Sequence, residues 1–225
     1  MPGFLRFFLL VSCLITGLSS AYAQQENFFN RPEVQSRTFF SGIVAGINAS
    51  QVDGDYYSGF HKAGLNAGVL SYVKLNPNFL LSIEILYSMK GARDVSLRYN
   101  AAVGTAPEEY RLNLNYVEIP LMLHINAGYG IHLGAGLSYS RLLSSTESFT
   151  TGSGPVNLNT DANTFRSSDL DYLVSVQYQL YKGLFARARY QYSAISIRDA
   201  DKIPQQFGSP AQFNNYFALQ LICLF

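Results

Sequence analysis

Tryptophan is absent, cysteine occurs twice, and only 14% of the residues are charged. A soluble domain carries about 25% charged residues, so an ordinary water-facing surface is not what this composition builds. The two cysteines exclude an intrachain disulfide in the mature protein. Cys13 falls inside an apolar leader, which leaves Cys223 alone as a small apolar residue of a strand. Beyond residue 23 nothing approaches the ~18 uninterrupted apolar residues of a spanning helix, so any membrane crossing has to be made by strands. Charge of one sign is lacking too. Once Arg6 leaves with the leader, 15 basic residues face 15 acidic ones, and the basic surface of a nucleic-acid binder is missing. What the chain does have is Gly (18), Tyr (16) and Phe (16), the stock of strands, tight bends and interfacial aromatics. The length suits one domain.

Residues 1–23 have the layout of a secretory signal peptide. Arg6 is the single charge, Phe7 to Leu18 is mostly apolar, and Ala21-Tyr22-Ala23 is a small-x-small cleavage pattern. The rival is a lipoprotein signal, since Leu10-Val11-Ser12-Cys13 loosely fits a lipobox. In that case Leu14-Ile15 would follow the anchor where a polar tether belongs. Residues 24–37 then form a short periplasmic segment, and 38–225 the folded domain.

The dominant pattern is alternation of apolar with small or polar residues, the period of a strand with one greasy face. It predicts eight strands, near 38–50, 63–74, 79–90, 110–126, 129–139, 170–180, 184–197 and 215–225. In the third, Phe79, Leu81, Ile83, Ile85 and Tyr87 oppose Ser82, Glu84, Ser88 and Lys90. In the fifth, every odd residue from Tyr129 to Tyr139 is apolar. The early part of the fourth fits the opposite parity through Leu112 and Leu114, which predicts a bulge or a rise above the lipid there. Pro120 cannot donate to a ladder and should mark a bulge or an unpaired point.

The predicted connections alternate long and short, the plan of outer-membrane barrels with long external loops and short periplasmic turns. An even strand number puts both termini on the short-turn side. A soluble eight-stranded barrel such as a lipocalin is the alternative, but its interior would have to hold the Tyr, Leu and Ile face. The fold expected is therefore an all-β, eight-stranded antiparallel up-and-down transmembrane barrel, embedded in the lipid bilayer of the outer membrane.

The segment Asn115-Tyr116-Val117-Glu118-Ile119-Pro120-Leu121-Met122-Leu123 resembles the Tyr-Leu-Glu-Ile-Pro-Leu-Leu stretch of the PorT-like outer-membrane barrels of Bacteroidetes. Ser41-Gly42-Ile43-Val44-Ala45-Gly46, and Gly134 with Gly136, also suit that family. The resemblance covers about Phe39 to Phe225 and implies an eight-stranded barrel. One namesake is linked to the type IX protein secretion of that phylum, so a secretion-system partner follows from the resemblance alone.

Inward parity collects Glu84, Glu118, Asp171, Arg187 and Arg189 with Lys74 and Lys90. An interior just wide enough for its own side chains makes an ion-pair plug the plain reading; a narrow proton or ion path is the sharper one. Phe217, Leu219, Leu221 and Phe225 form an alternating face ending in an aromatic carboxy-terminus, resembling the signals read by barrel-assembly machinery. An enzyme of the barrel type would need Ser, His and acid together near the outer rim. Yet His124 and His132 lie inward near the short turn, and nothing singles out His61. Asp53, Asp55, Asp199 and Asp201 lack a calcium ladder, so no cofactor or metal is expected. The stretch Ser144–Ser168 reads as a mobile surface loop able to touch an external partner.

Overall fold

The computed structural model describes residues 27–54, 59–96, 108–151, 154–157, 164–203 and 211–225. The proposed leader lies outside the described residues. Nine antiparallel strands follow one another: β1 Phe39–Asp53, β2 Lys62–Lys74, β3 Phe79–Ser96, β4 Glu108–Gly128, β5 Ile131–Thr151, β6 Gly154–Asn157, β7 Ser168–Tyr181, β8 Leu184–Ser193 and β9 Phe213–Leu224. Eight of them close a ring in the order β1-β2-β3-β4-β5-β7-β8-β9, with β9 paired back on β1 from Gly42↔Leu224 to Asp53↔Phe213. The short β6 pairs only with the far end of β5. Among the described residues no α-helix occurs, only 3-10 turns.

The wall is apolar outside and polar inside. Outward Ile43, Leu65, Ile85, Leu121, Leu137 and Leu219 are 50–61% exposed, whereas inward Glu84, Glu118, Arg187 and Arg189 are at most 2% exposed. A soluble protein rarely exposes a continuous apolar surface beyond a few hundred Å². A bilayer is the solvent in which this face is at home, and the lipocalin arrangement is thereby reversed. No helix among the described residues is long and apolar enough to cross a membrane; the strands make the wall.

Several local expectations are corrected. Tyr129 is not in a strand: with φ +52° it sits between Gly128 and Gly130, both also at positive φ, in the tight turn before β5. The aliphatic face of β5 therefore starts at Ile131. β4 keeps one parity throughout, and Leu112 and Leu114 point inward like Glu118 and His124. The bulge lies on β5 instead, where Leu143 is the extra residue between the pairs Tyr116↔Leu142 and Asn115↔Ser144. A one-residue slip exchanges the faces of a strand, so β5 points even residues inward below Leu143 and odd ones above it. The supposed surface loop after Ser144 is partly sheet: β5 runs on to Thr151, and β6 returns along it. β8 stops at Ser193, short of Ile197. Pro120 is unpaired on its β3 side, where the ladder passes from Ile83↔Leu121 to Leu86↔Glu118, but on its β5 side it pairs with Ser138.

The lumen has three layers. At the short-turn end Phe40, Leu70, Tyr72, Leu80, Phe185, Ile222 and Leu224 pack around Phe29, which is 1% exposed and comes from the segment before β1. Asn27 caps the single turn Phe28–Asn30, and the Phe29 ring lies 5.0–5.7 Å from those of Phe40, Tyr72, His132 and Phe185. Lys74 Nζ donates to the Phe29 carbonyl at 2.6 Å, and the Phe28 amide donates to Gln179 Oε1 at 2.7 Å. At the long-loop end Val52, Ala92, Tyr110, Leu112, Leu114, Tyr116, Ile197 and Ile203 form a second apolar cluster. Charge occupies the middle.

On β5 Ala135 faces outward, near mid-band, and Gly134 inward. Arg at Ala135 should destabilise the barrel by ~2–4 kcal/mol in a bilayer unfolding titration; wild-type stability there would mean that the outward face is not in lipid. Valine at Gly134 should fail for a different reason, because a Cβ at that position lies 2.6 Å from both His124 Nδ1 and Ser175 Oγ.

Candidate functional site

The charged middle layer is assembled from opposite sides of the ring. Arg187 on β8 reaches across to Glu84 on β3 with both terminal nitrogens; one contact is 2.8 Å. Its Nε donates to Gln220 at 2.8 Å, and Gln220 in turn donates to Asn66. Arg189, one inward step along β8, is shared between Glu84 at 3.5 Å and Glu118 at 3.4 Å. Glu118 also takes Lys90 Nζ at 2.6 Å and the Tyr216 hydroxyl at 3.0 Å. Lys90 lies over the rings of Tyr116 and Tyr216 and 3.5 Å from Asp171, which accepts from Gln191 and Ser140 at 2.9 Å each.

All six ions of this network are essentially inaccessible. Glu84, Glu118 and Asp171 balance Lys90, Arg187 and Arg189. Such balance is demanded by the setting, since an unpaired charge at this depth costs several kcal/mol. The bidentate Arg187–Glu84 pair has the geometry in which a guanidinium binds a carboxylate most strongly. Lys74 shares the inward parity but stands apart, holding the Phe29 carbonyl.

Three further buried charges escape the sequence pattern. Asp169, just inside β7, accepts from Ser193 at 2.7 Å and Asn214 at 2.9 Å. Glu147 pairs with Arg198 at 2.6 Å and accepts from Tyr110 at 2.7 Å. Glu147 faces inward only because of the Leu143 slip, and since both parities are polar from Ser144 to Ser148 no period in the sequence signals it. Arg198 sits outside the strands, stacked 3.7 Å from the Phe165 ring, where no period applies. Around it the last two long connections are stitched together by a Phe165↔Arg198 bridge and an Arg166–Asp199 ion pair of 2.6 Å.

His124 Nε2 is 2.9 Å from Ser82 Oγ, and both are fully buried behind Tyr72 and Phe29. His132 is held by Asn27 at 3.1 Å. Among the described residues no group of three His, Cys, Asp or Glu could hold a metal ion. Asp53 instead accepts from Gln51 and Asn215; Asp55 lies outside the described residues. Phe217, Leu219 and Leu221 face outward on β9, the strand that closes the ring against β1, and Phe225, just past its end, is also exposed and donates its amide to the Ser41 carbonyl at 3.0 Å.

A family model described as the outer membrane protein beta-barrel domain matches residues 22–198. The chain belongs to that family. It is an outer-membrane β-barrel protein, placed in the bilayer by its wall. Among solved structures it is similar to Ail, the attachment invasion locus protein of Yersinia pestis, with 14% identity over 83% of this chain and 98% of that one and a TM-score of 0.49. It is also similar to Neisserial surface protein A, with 11% identity over 84% and 97% of the two chains and a TM-score of 0.46. No curated protein matches the sequence.

Truncating one ion of a buried network strands its partner. Arg187→Ala should therefore cost about 3–5 kcal/mol of barrel stability, read as a lower urea midpoint for loss of the heat-modifiable form. Combining it with Glu84→Leu should recover part of that loss, because the orphaned carboxylate goes too. No loss in the single variant would show that the pair contributes nothing.

Proposed function

We propose that this outer-membrane barrel is a sealed, non-catalytic module whose exposed long-loop end meets an external partner while both termini stay in the periplasm. The observation that carries the reading is the filled lumen: six balanced ions in the middle, a phenylalanine stopper at the short-turn end and the Tyr110–Ile203 cluster at the other. Among the described residues these layers fill the lumen with side chains, which supports a barrel without a vestibule for a substrate or an open path for an ion. What remains free for recognition is its outside: the strands that extend beyond the apolar band and the connections above them.

The finer assignment, a PorT-like barrel of Bacteroidetes exported by a cleaved signal peptide, is supported by the leader pattern of residues 1–23 and by Asn115–Leu123. In that motif Glu118 belongs to the ion network and Pro120 to the gap in the β3–β4 ladder. The motif thus has a structural reason of its own. A role as accessory of a protein secretion machine therefore rests on the resemblance and leads to a concrete experiment, crosslinking from intact outer membranes.

In planar bilayers the purified protein should give no steady single-channel conductance; a stable open level would overturn the sealed-barrel reading. We also propose that Phe217, Leu219, Leu221 and Phe225 are read during insertion by barrel-assembly machinery. Deleting Phe225 should reduce heat-modifiable barrel in the outer membrane and leave export to the periplasm intact. Equal folded amounts would remove the residue from that role.

A further inference from the structure

Above the apolar band the outer wall is electrically lopsided. On β3, β4 and β5 the outward residues include Arg93, Arg111 and Arg141, each exposed. Arg93 and Arg111 are register partners, although like charges facing each other across a ladder destabilise it. Lys62, at the start of β2, extends its ammonium to Asn113 on the same face, within electrostatic reach of both guanidinium groups. Glu109 accepts from two of them, Arg93 at 3.1 Å and Arg111 at 2.8 Å. Arg141 donates to the Ser167 hydroxyl at 3.1 Å.

The opposite flank is different. Among the described residues the outward positions of β7, β8 and β9 carry no Lys or Arg, and the upper wall there is a run of touching rings that includes Tyr172, Tyr192 and Phe213. At the long-loop end elsewhere Arg166 pairs with Asp199, Arg198 with Glu147, and Lys202 donates to the Thr164 hydroxyl at 3.0 Å. Among the described residues the Lys and Arg at outward-reaching strand positions above the apolar band gather in one column of the wall.

That column stands directly above a lipid-facing surface of the same strands: Ile83, Ile85 and Tyr87, then Ile119 and Leu121, then Leu137 and Tyr139. A lipid whose chains lie on these residues has its headgroup beside the cations. At ~3.3 Å per residue and a tilt of about 40°, Arg141 lies roughly 5 Å above Tyr139 and Arg93 roughly 15 Å above Tyr87. A simple phospholipid has its phosphate only at the foot of such a column. A phosphorylated saccharide headgroup fills its height, and guanidinium forks suit phosphate oxygens.

We propose that Lys62, Arg93 and Arg111 bind the phosphates of an outer-leaflet glycolipid headgroup, with Arg141 at its junction with the acyl chains. The bound anion offsets the repulsion of the facing arginines, which share Glu109. The proposal rests on the orientation given above, with the long loops outside.

The test is retention of a lipopolysaccharide with phosphorylated core sugars by the purified barrel in detergent, read by native mass spectrometry. Wild type should retain it, and Arg93→Gln with Arg111→Gln should weaken retention on the order of tenfold, at unchanged heat-modifiability. Arg166→Gln, on the other flank, should change nothing. Should the double variant not fold, Arg111→Gln alone should weaken retention about threefold. The same lipopolysaccharide after dephosphorylation should bind wild type as poorly as the variant, and equimolar inorganic phosphate should not displace the lipid. Equal retention by wild type and variants, equal retention of the dephosphorylated lipid, or displacement by free phosphate would each overturn the proposal. Orientation plays no part in detergent, so a reversed barrel leaves this result intact and is seen separately, as long connections resistant to protease on whole cells.

Discussion

An eight-stranded ring encloses only enough room for the side chains of its own wall, and the rest of this structure answers to that limit. The inward ions of the middle layer meet other strands rather than solvent, across the lumen or on the neighbouring strand. An inward arginine must therefore find its carboxylate across the lumen, as Arg187 finds Glu84, and an inward lysine its own, as Lys90 finds Glu118. The tyrosines complete the layer because the remaining acceptor positions also need donors: Tyr216 gives its hydroxyl to Glu118 and its ring face to Lys90. A polar layer of this kind is costly when half satisfied and rigid when complete. Apolar clusters above and below it keep water from competing for the same groups, so the three layers of the lumen depend on one another.

The outer face obeys a separate constraint, and the two meet in the register. With side chains alternating strictly, a single slipped residue would move charges into lipid and aliphatics into the ion layer. Other register shifts lie at strand ends by the short turns, while a bulge inside a long strand is tolerated in β5 at Leu143, beyond Tyr139 and so above the apolar band. There the slip is useful. It turns Glu147 inward to meet Arg198 and lets Leu142 pack against the upper cluster.

Strand number, the faces of the strands and the members of the ion layer were legible in the sequence because each follows from a period of two. Glu84, Glu118, Asp171, Arg187 and Arg189 share a parity, and the lumen is too narrow for residues of one parity to stay apart. What was not legible came from interactions without a period. Leu112 and Leu114 suggested a slip in β4, because apolar residues at inward positions look misplaced until an apolar layer above the ions is known. Ile222 and Leu224 blurred the face of β9 for the matching reason at the other end: they surround Phe29, which enters from outside the strand pattern. Arg198 belongs to a connection, and its place is set by Phe165 and Glu147, residues far from it in the chain.

A barrel that uses its interior entirely for its own stability has to conduct its business on its surfaces. Here those surfaces are unequal. Strands β3 to β5 continue past the apolar band as a sheet whose inner face is sealed by Tyr110, Leu112 and Leu114 and whose outer face carries Arg93 and Arg111 around a shared Glu109. The β7–β9 flank ends in stacked aromatic rings and in connections pinned to each other. A round wall in a fluid bilayer would have no reason to distinguish its sides if lipid were only a solvent. The segregation of guanidinium groups from aromatic rings gives the molecule a front and a back. An anionic headgroup on the cationic side would then fix how the barrel faces its neighbours, which makes the lipid part of whatever surface the long loops present.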